Sequence, residues 1–328
     1  MFDNTHNYYK KMGKYIELHK PAVKSFMLGR KTYDGFLYKL SSYVILFILG
    51  FVFLYPILYM FSTSMMSNLD LVDNTIRWIP SKLFTFNYEM SFKALKLPSS
   101  FLVTTLLAGS TTLATAVCSA LVGYGLARFE FKGKKLVLLL MLFTFIVPKT
   151  LFFIPRYQLF VDLHLKGTIG AITLPALLGQ GEQGVLFILI FYQFFKMIPK
   201  SLEEAAFIDG ASAFKTFLRI AIPMVGPAFI IVAVYGFALN WNETFLTNFY
   251  LEGKIQTIPI LLSDLQNSFG QVVWKSGAGD FSVNPDLNFT EAKVFAGTIL
   301  SILPLVIMYI TVQRWFVESI DKSGITGE

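Results

Sequence analysis

One cysteine, Cys118, and three scattered histidines, His6, His19 and His164, are all that this 328-residue chain offers of the residue types that build disulfides and transition-metal sites. A lone cysteine excludes an internal disulfide, and Cys118, set in an apolar run, reads as a small packing residue. The histidines are too dispersed for a ligand set, so no metal is expected. Charge is also scarce: Asp, Glu, Lys and Arg make up 15% of the chain, against roughly 25% in an average soluble domain. No GxxxxGK[ST] phosphate loop is present, because Gly133-Lys134 is followed by Lys135 and Arg128 stands where the first glycine is needed. Residues 1–39 are polar and basic and lack the short apolar core and small-residue cleavage site of a signal peptide.

Apolar residues fill the space left by charge. They form 54% of the chain with a mean hydropathy of +0.57, the profile of an all-α integral membrane protein. Crossing about 30 Å of hydrocarbon takes about 20 helical residues. Runs that meet this lie near 40–61, 101–127, 136–155, 220–242 and 294–314. The region 167–197 is interrupted by Gly179-Gln180-Gly181-Glu182-Gln183-Gly184 and supplies one further span near 183–198, preceded by a re-entrant or interfacial piece at the outer face. Six transmembrane helices with both termini cytoplasmic put most of the Lys and Arg inside. Topology thus accounts for the net charge of +7, and no nucleic acid is expected as a partner. The basic arm at 1–39 either touches anionic lipid or is disordered. The outer segment 243–293 is a recognition loop or a solvated linker.

The spans hold almost no titratable chemistry. Lys149 can snorkel toward the outer interface, and 101–127 carries Thr104, Thr105, Ser110, Thr111, Thr112, Thr115 and Ser119 among Ala and Gly. Hydroxyls at that density favour close helix packing, with Thr111 and Thr115 also suited to line a polar pathway. Tyr235, Asn240 and Trp241 are suited to stack on and hydrogen-bond a sugar, or Trp241 to anchor at the interface. The cores contain no Asp, Glu or His, which argues against an ion-coupled secondary transporter. They bring together no nucleophile, acid-base pair or metal set, which argues against an enzyme.

Ser201 to Pro223 is the most distinctive stretch, a polar hairpin between two apolar runs. Ser201 and Glu204 have capping-box spacing, Gly210 suits a left-handed turn, and Ala211 to Arg219 resumes a helix with Phe214 and Phe217 toward one side. Glu204-Ala205-Ala206, then Phe207 and Asp209-Gly210, then Ile220 and Ile222-Pro223, resembles the EAA loop of ABC importer permeases, with Ile222 where Leu is usual. Gly123-Tyr124-Gly125-Leu126-Ala127-Arg128-Phe129, Ile154-Pro155, Trp241-Asn242-Glu243 and Gln313-Arg314-Trp315-Phe316-Val317 are similar to the sugar-importing, MalG-like branch. The resemblance implies a MetI-like permease domain over 40–316 and ATPase coupling through the loop at 201–223, by Glu204, Ala205, Ala206, Phe207, Asp209, Gly210, Ile220 and Pro223. It also implies a contact of the 317–328 tail with the ATPases. The implied partners are a second homologous permease, two ATPase subunits carrying ATP and Mg, and an extracytoplasmic solute-binding protein. The implied cargo is a carbohydrate, with a polyol or glycerol-phosphate derivative as the alternative.

Overall fold

A computed structural model describes the backbone of residues 29–30, 33–275 and 285–324, and side chains within 35–275 and 286–315. The chain forms two compact units, Met1–Thr63 and Ser64–Glu328. In the first, two short strands, β1 (Gly29–Arg30) and β2 (Tyr33–Asp34), pair antiparallel and lead into helix α1 (Phe36–Ser64), whose mean hydropathy reaches 2.5. The basic residues up to Lys24 lie outside the described residues.

The second unit is built around α4 (Leu97–Arg128), a helix of 32 residues. Two short helices precede it, α2 (Asn68–Val72) and α3 (Phe86–Ala94). After it come α5 (Lys134–Ile146), α6 (Phe153–Asp162), α7 (Gly170–Leu177) and α8 (Gly184–Met197). The hairpin contains α9 (Lys200–Ile208), α10 (Ala213–Thr216), a π turn (Phe217–Ala221) and α11 (Ile222–Met224). Then follow α12 (Gly226–Asn242), α13 (Phe245–Leu251), α14 (Ile258–Ser263), α15 (Leu265–Lys275) and α16 (Glu291–Gly324). Helix α4 packs along α8, α12 and α7. Three helices, α1, α4 and α16, are long and apolar enough to span alone, and the number rises to six if each of three bent pairs counts as one span.

The bends mark where apolar runs did not become straight helices. The run 136–155 breaks at Val147, which is extended at ψ 128°, because Pro148 disfavours the helical conformation in the residue before it. The chain there turns by 93° into Lys149–Asp162. The run 220–242 likewise starts with a 75° bend ahead of Gly226–Asn242, where Pro227 can supply no backbone donor. Segment 243–293 is not an open linker among its described residues: α13, α14 and α15 fold back, with Leu261, Leu265 and Phe269 buried beside Met90 and Leu95. Lys293, at the head of α16, is fully buried, with Nζ donating to Asn68 Oδ1 at 3.3 Å and lying 5.6 Å from the Phe269 ring centroid. Within segment 243–293, Glu252 is approached by Lys166 at 2.6 Å and by the Tyr157 hydroxyl at 2.9 Å, which hold its carboxyl below the ordinary pKa. Helix α16 continues past Phe316 as far as Gly324.

Close approach of α4 and α8 depends on Gly123. A Cβ built there would sit 2.7 Å from Phe191 Cβ and 3.0 Å from the Tyr192 backbone nitrogen, distances that force the helices apart. Gly123→Ala is therefore expected to cost about 1–3 kcal/mol through overpacking. Gly125→Ala, where a Cβ meets nothing within 4 Å, is expected to cost less than about 0.5 kcal/mol. Thermal unfolding of the two purified variants checks the contrast; equal midpoints would contradict it.

Candidate functional site: a hairpin at the end of the bundle

The hairpin is held to the bundle by aromatic packing and one buried ion pair. Phe217 lies 4.9 Å from the Tyr124 ring and 6.1 Å from Phe195, so the π turn is anchored where α4 and α8 meet. At the end of α4, Arg128 Nε lies 2.9 Å from Glu203 Oε1, with both side chains buried. The Nε–H is not directed along that line, and an Arg128 terminal nitrogen instead donates to the Ile198 carbonyl at 2.8 Å. Arg128 thereby ties the last turn of α4 to both the entry and the first turn of α9.

Ser201 and Glu204 do not form the capping box that their spacing suggested. Helix α9 begins at Lys200, two residues earlier than a Ser201 cap would place it, behind Pro199 in an extended conformation (ψ 129°), and has no side-chain cap. Ser201 is consequently inside the helix, and Glu204 is exposed. Glu203, one position away and sharing the inner face with Ala206, is the buried acid. Sequence reasoning passed over it because its partner lies 75 residues upstream; the available signal was an acid and a small residue three apart on a short helix.

Gly210 adopts φ +77° and closes α9 in a Schellman turn, with its own N–H bonded to the Phe207 carbonyl at 3.0 Å and the Ala211 N–H to the Ala206 carbonyl at 2.9 Å. The chain then re-enters helix at Ser212, whose hydroxyl accepts from the Lys215 N–H at 3.3 Å. This geometry turns apolar side chains outward: Ile208 is 86% exposed and Phe214 63%, with Leu202, Phe207 and Leu218 also exposed. Phe214 and Phe217 therefore diverge in environment, one outside and one in the core. Of the other residues singled out from sequence, Ala205, Asp209 and Pro223 are exposed, Ala206 is buried and Ile220 is half-buried. An exposed apolar patch on a short, rigidly held hairpin has the form of a protein contact surface.

The residues suggested for a polar pathway are spread over two environments. Trp241 is fully packed: it is 1% exposed, donates from Nε1 to the Ser301 carbonyl at 3.3 Å and sits among Phe101 and Phe237, with no face open for stacking. Tyr235 is half-exposed and meets Phe187 edge-on. Thr115 bonds back to the Thr111 carbonyl at 2.8 Å. Thr111 and Asn240 instead line one small cavity together with Gln180, Glu182, Arg156 and Tyr250. Glu243 also reaches it, but both its carboxylate oxygens are engaged at the start of α13, accepting from the Leu246 and Thr247 N–H groups at 2.6 and 2.7 Å.

Comparison with known proteins agrees with the geometry. The family described as "Binding-protein-dependent transport system inner membrane component" matches residues 116–322. The arabinooligosaccharides transport system permease protein AraQ of Bacillus subtilis (strain 168) is 26% identical over 88% of this chain and 96% of its own length. The trehalose/maltose transport system permease protein MalG of Thermococcus litoralis is 26% identical over 86% and 94%. The melibiose/raffinose/stachyose import permease protein MelC of Bacillus subtilis (strain 168) is 25% identical over 78% and 86%. Among solved structures, a bacterial ABC transporter involved in the import of the acidic polysaccharide alginate contains a chain with the same fold, at a TM-score of 0.66 and 22% identity, covering 85% of this chain and 96% of that one.

Proposed function

Because this chain belongs to the family of inner membrane components of binding-protein-dependent transport systems, we propose that it is one of two permease subunits of an ATP-driven carbohydrate importer. It forms half of the translocation pathway and has no catalytic role of its own. The observation that carries this reading is the hairpin at 200–224: an exposed apolar patch braced on the bundle by the Arg128–Glu203 pair. Such an element transmits a push from a docked partner to α4 without bending internally.

Three helices are long enough to span alone, and the apolar arms α5, α8 and α12 of the three bent pairs support three further spans, six in all. Arg128 at the end of α4, Lys134 and Lys135 at the start of α5, and Lys196 and Lys200 at the α8–α9 junction support assigning this end to the cytoplasm. The hairpin then faces the cytoplasm of a bacterial cell, as do both termini. ATP and Mg belong to two ATPase subunits docked there, and a solute-binding protein delivers cargo to the opposite face, where segment 243–293 lies. Closure of the ATPase dimer moves the hairpin and biases the spans between inward-open and outward-open arrangements. The carbohydrate cargo is supported by the names of the relatives, which concern arabinooligosaccharides, trehalose and maltose, and melibiose-type sugars.

The test is reconstitution of the chain with its co-encoded permease, ATPase and binding protein in liposomes. ATP-dependent accumulation of labelled arabinotriose, raffinose or maltose, lost when the ATPase or binding protein is omitted, is the expected result. Failure of all three sugars to accumulate in an assembled complex would overturn the carbohydrate reading.

A further inference from the structure

The glycine-rich loop between α7 and α8 occupies a depth that its composition makes costly. A Cβ built on Gly181 would lie 3.2 Å from Thr115 Oγ1, and one on Gly179 would lie 3.5 Å from Cys118 Sγ. Thr115 lies near the midpoint of α4, a helix of 32 residues, and Cys118 about one and a half turns past it. The loop thus reaches the middle of the bundle, which favours the re-entrant over the interfacial alternative that the sequence left open for this region. Glycine is needed at this approach, since Gly179 also has φ +79° and a Cβ on Gly184 would come 2.6 Å from the Gly179 carbonyl oxygen.

Gln180 and Glu182, at the tip, are exposed. An ionised carboxylate at mid-depth is stable only where it faces water or a polar path, because hydrocarbon cannot solvate it. The tip borders the cavity lined by Thr111, Asn240, Arg156 and Tyr250, which has a volume of about 40 Å³. That is room for a few waters and too little for a sugar ring. Thr111 and Tyr250 are 4% and 2% exposed, yet their hydroxyl oxygens have no hydrogen-bond partner among the described residues. Asn240 is held in place by its Nδ2, which donates to Thr112 Oγ1 at 3.1 Å and to the Gly236 carbonyl at 2.9 Å. The site therefore presents a carboxylate, two amide groups and two unpaired hydroxyls, the donor and acceptor set that exchanges bound water for the hydroxyls of a polyol.

We propose that the Gly179–Gly184 loop is the solute-facing wall of this subunit's half of the pathway, and that Glu182, Gln180, Asn240 and Thr111 form a transient subsite for hydroxyl groups of a neutral polyhydroxylated solute. The proposal rests on the importer reading and deepens it, placing a charge filter inside the permease. Glu182 admits neutral solutes and repels anionic ones. Arg156 lines the same cavity and Lys149 interacts electrostatically with Glu182, so they moderate this selection without cancelling it at the tip, where Glu182 is the one charged residue of the loop 179–184.

The experiment places a cysteine at Gln180 in a Cys118→Ala background of the assembled complex. It measures modification by three methanethiosulfonates carrying a glucosyl, a trimethylammonium or a sulfonate group, each rate normalised to that of a free thiol in solution. Gln180→Cys is expected to react with the glucosyl and trimethylammonium reagents about tenfold faster than with the sulfonate, the scale of one unit charge at a partly wetted site. Adding Glu182→Gln, which keeps the shape, is expected to erase that preference. Absence of reaction with all three reagents, or equal rates with and without the Glu182 carboxylate, overturns the proposal. The readout needs no knowledge of the natural cargo, so it separates from the uptake assay: a complex that labels as expected but accumulates no neutral sugar counts against the carbohydrate reading alone.

Discussion

Gly210→Val is expected to reduce ATP-driven uptake roughly tenfold or more while leaving insertion and assembly of the complex intact. The cause is local. A Cβ at position 210 would meet nothing within 4 Å, so no clash expels it; the cost lies in the backbone, at φ +77°. That region costs an L residue roughly 1–2 kcal/mol, and a β-branched one more. Valine relaxes by abandoning the left-handed conformation, which breaks the two bonds that close α9, from Gly210 to Phe207 and from Ala211 to Ala206. Ile208, Phe207 and Phe214 then lose their fixed relation, and a docked partner no longer moves the bundle as one piece. Gly210→Asn, which tolerates the left-handed region, should retain most activity. The check is uptake per assembled complex for both variants. Normal uptake with Gly210→Val would show that the hairpin does not transmit the stroke.

The second large effect is expected at Arg128. Arg128→Met leaves Glu203 buried without its partner and the Ile198 carbonyl without its donor. Breaking a buried pair on one side costs about 3–5 kcal/mol, enough to detach α9 from α4 or unfold the unit. The double variant Arg128→Met, Glu203→Leu removes both charges and restores apolar volume, and replacements of this kind are often neutral or stabilising. It is expected to recover most of the thermal stability lost by the single variant. Uptake should recover less, because the tether to the Ile198 carbonyl is still gone. Thermal unfolding and uptake of the single and double variants separate these terms. A single variant as stable as the parent, or a double variant no better than the single, would contradict the pair's role.

What could be read from sequence was encoded locally. The apolar runs at 40–61, 101–127 and 294–314 became parts of α1, α4 and α16 because length and hydropathy suffice to make a spanning helix. Gly210 was readable because a glycine between two helical patterns has few other uses. Tertiary choices were not readable in this way. Whether Ser201 caps a helix depends on where the backbone enters it, and Arg128 fixes that entry from another helix by holding the Ile198 carbonyl. Trp241 has the composition of a sugar platform or an interfacial anchor, yet neighbours from α4, α14 and α16 enclose it. The break at Val147 was signalled by Pro148, but proline inside a membrane helix kinks or ends it with equal ease: Pro56 and Pro304 remain inside intact helices. The depth of the loop at Glu182 had no local signature, because it is set by glycine contacts with the middle of α4.

The central claim is that the exposed apolar patch of the hairpin is the docking surface for the ATPase. Site-specific photocrosslinking from Ile208, 86% exposed, compared with Trp274, 87% exposed on α15 in the segment proposed to face outward, tests it most directly. The account predicts an ATPase adduct from position 208 in the assembled complex and none from position 274. An ATPase adduct from 274 with none from 208 would invert the topology and contradict the account.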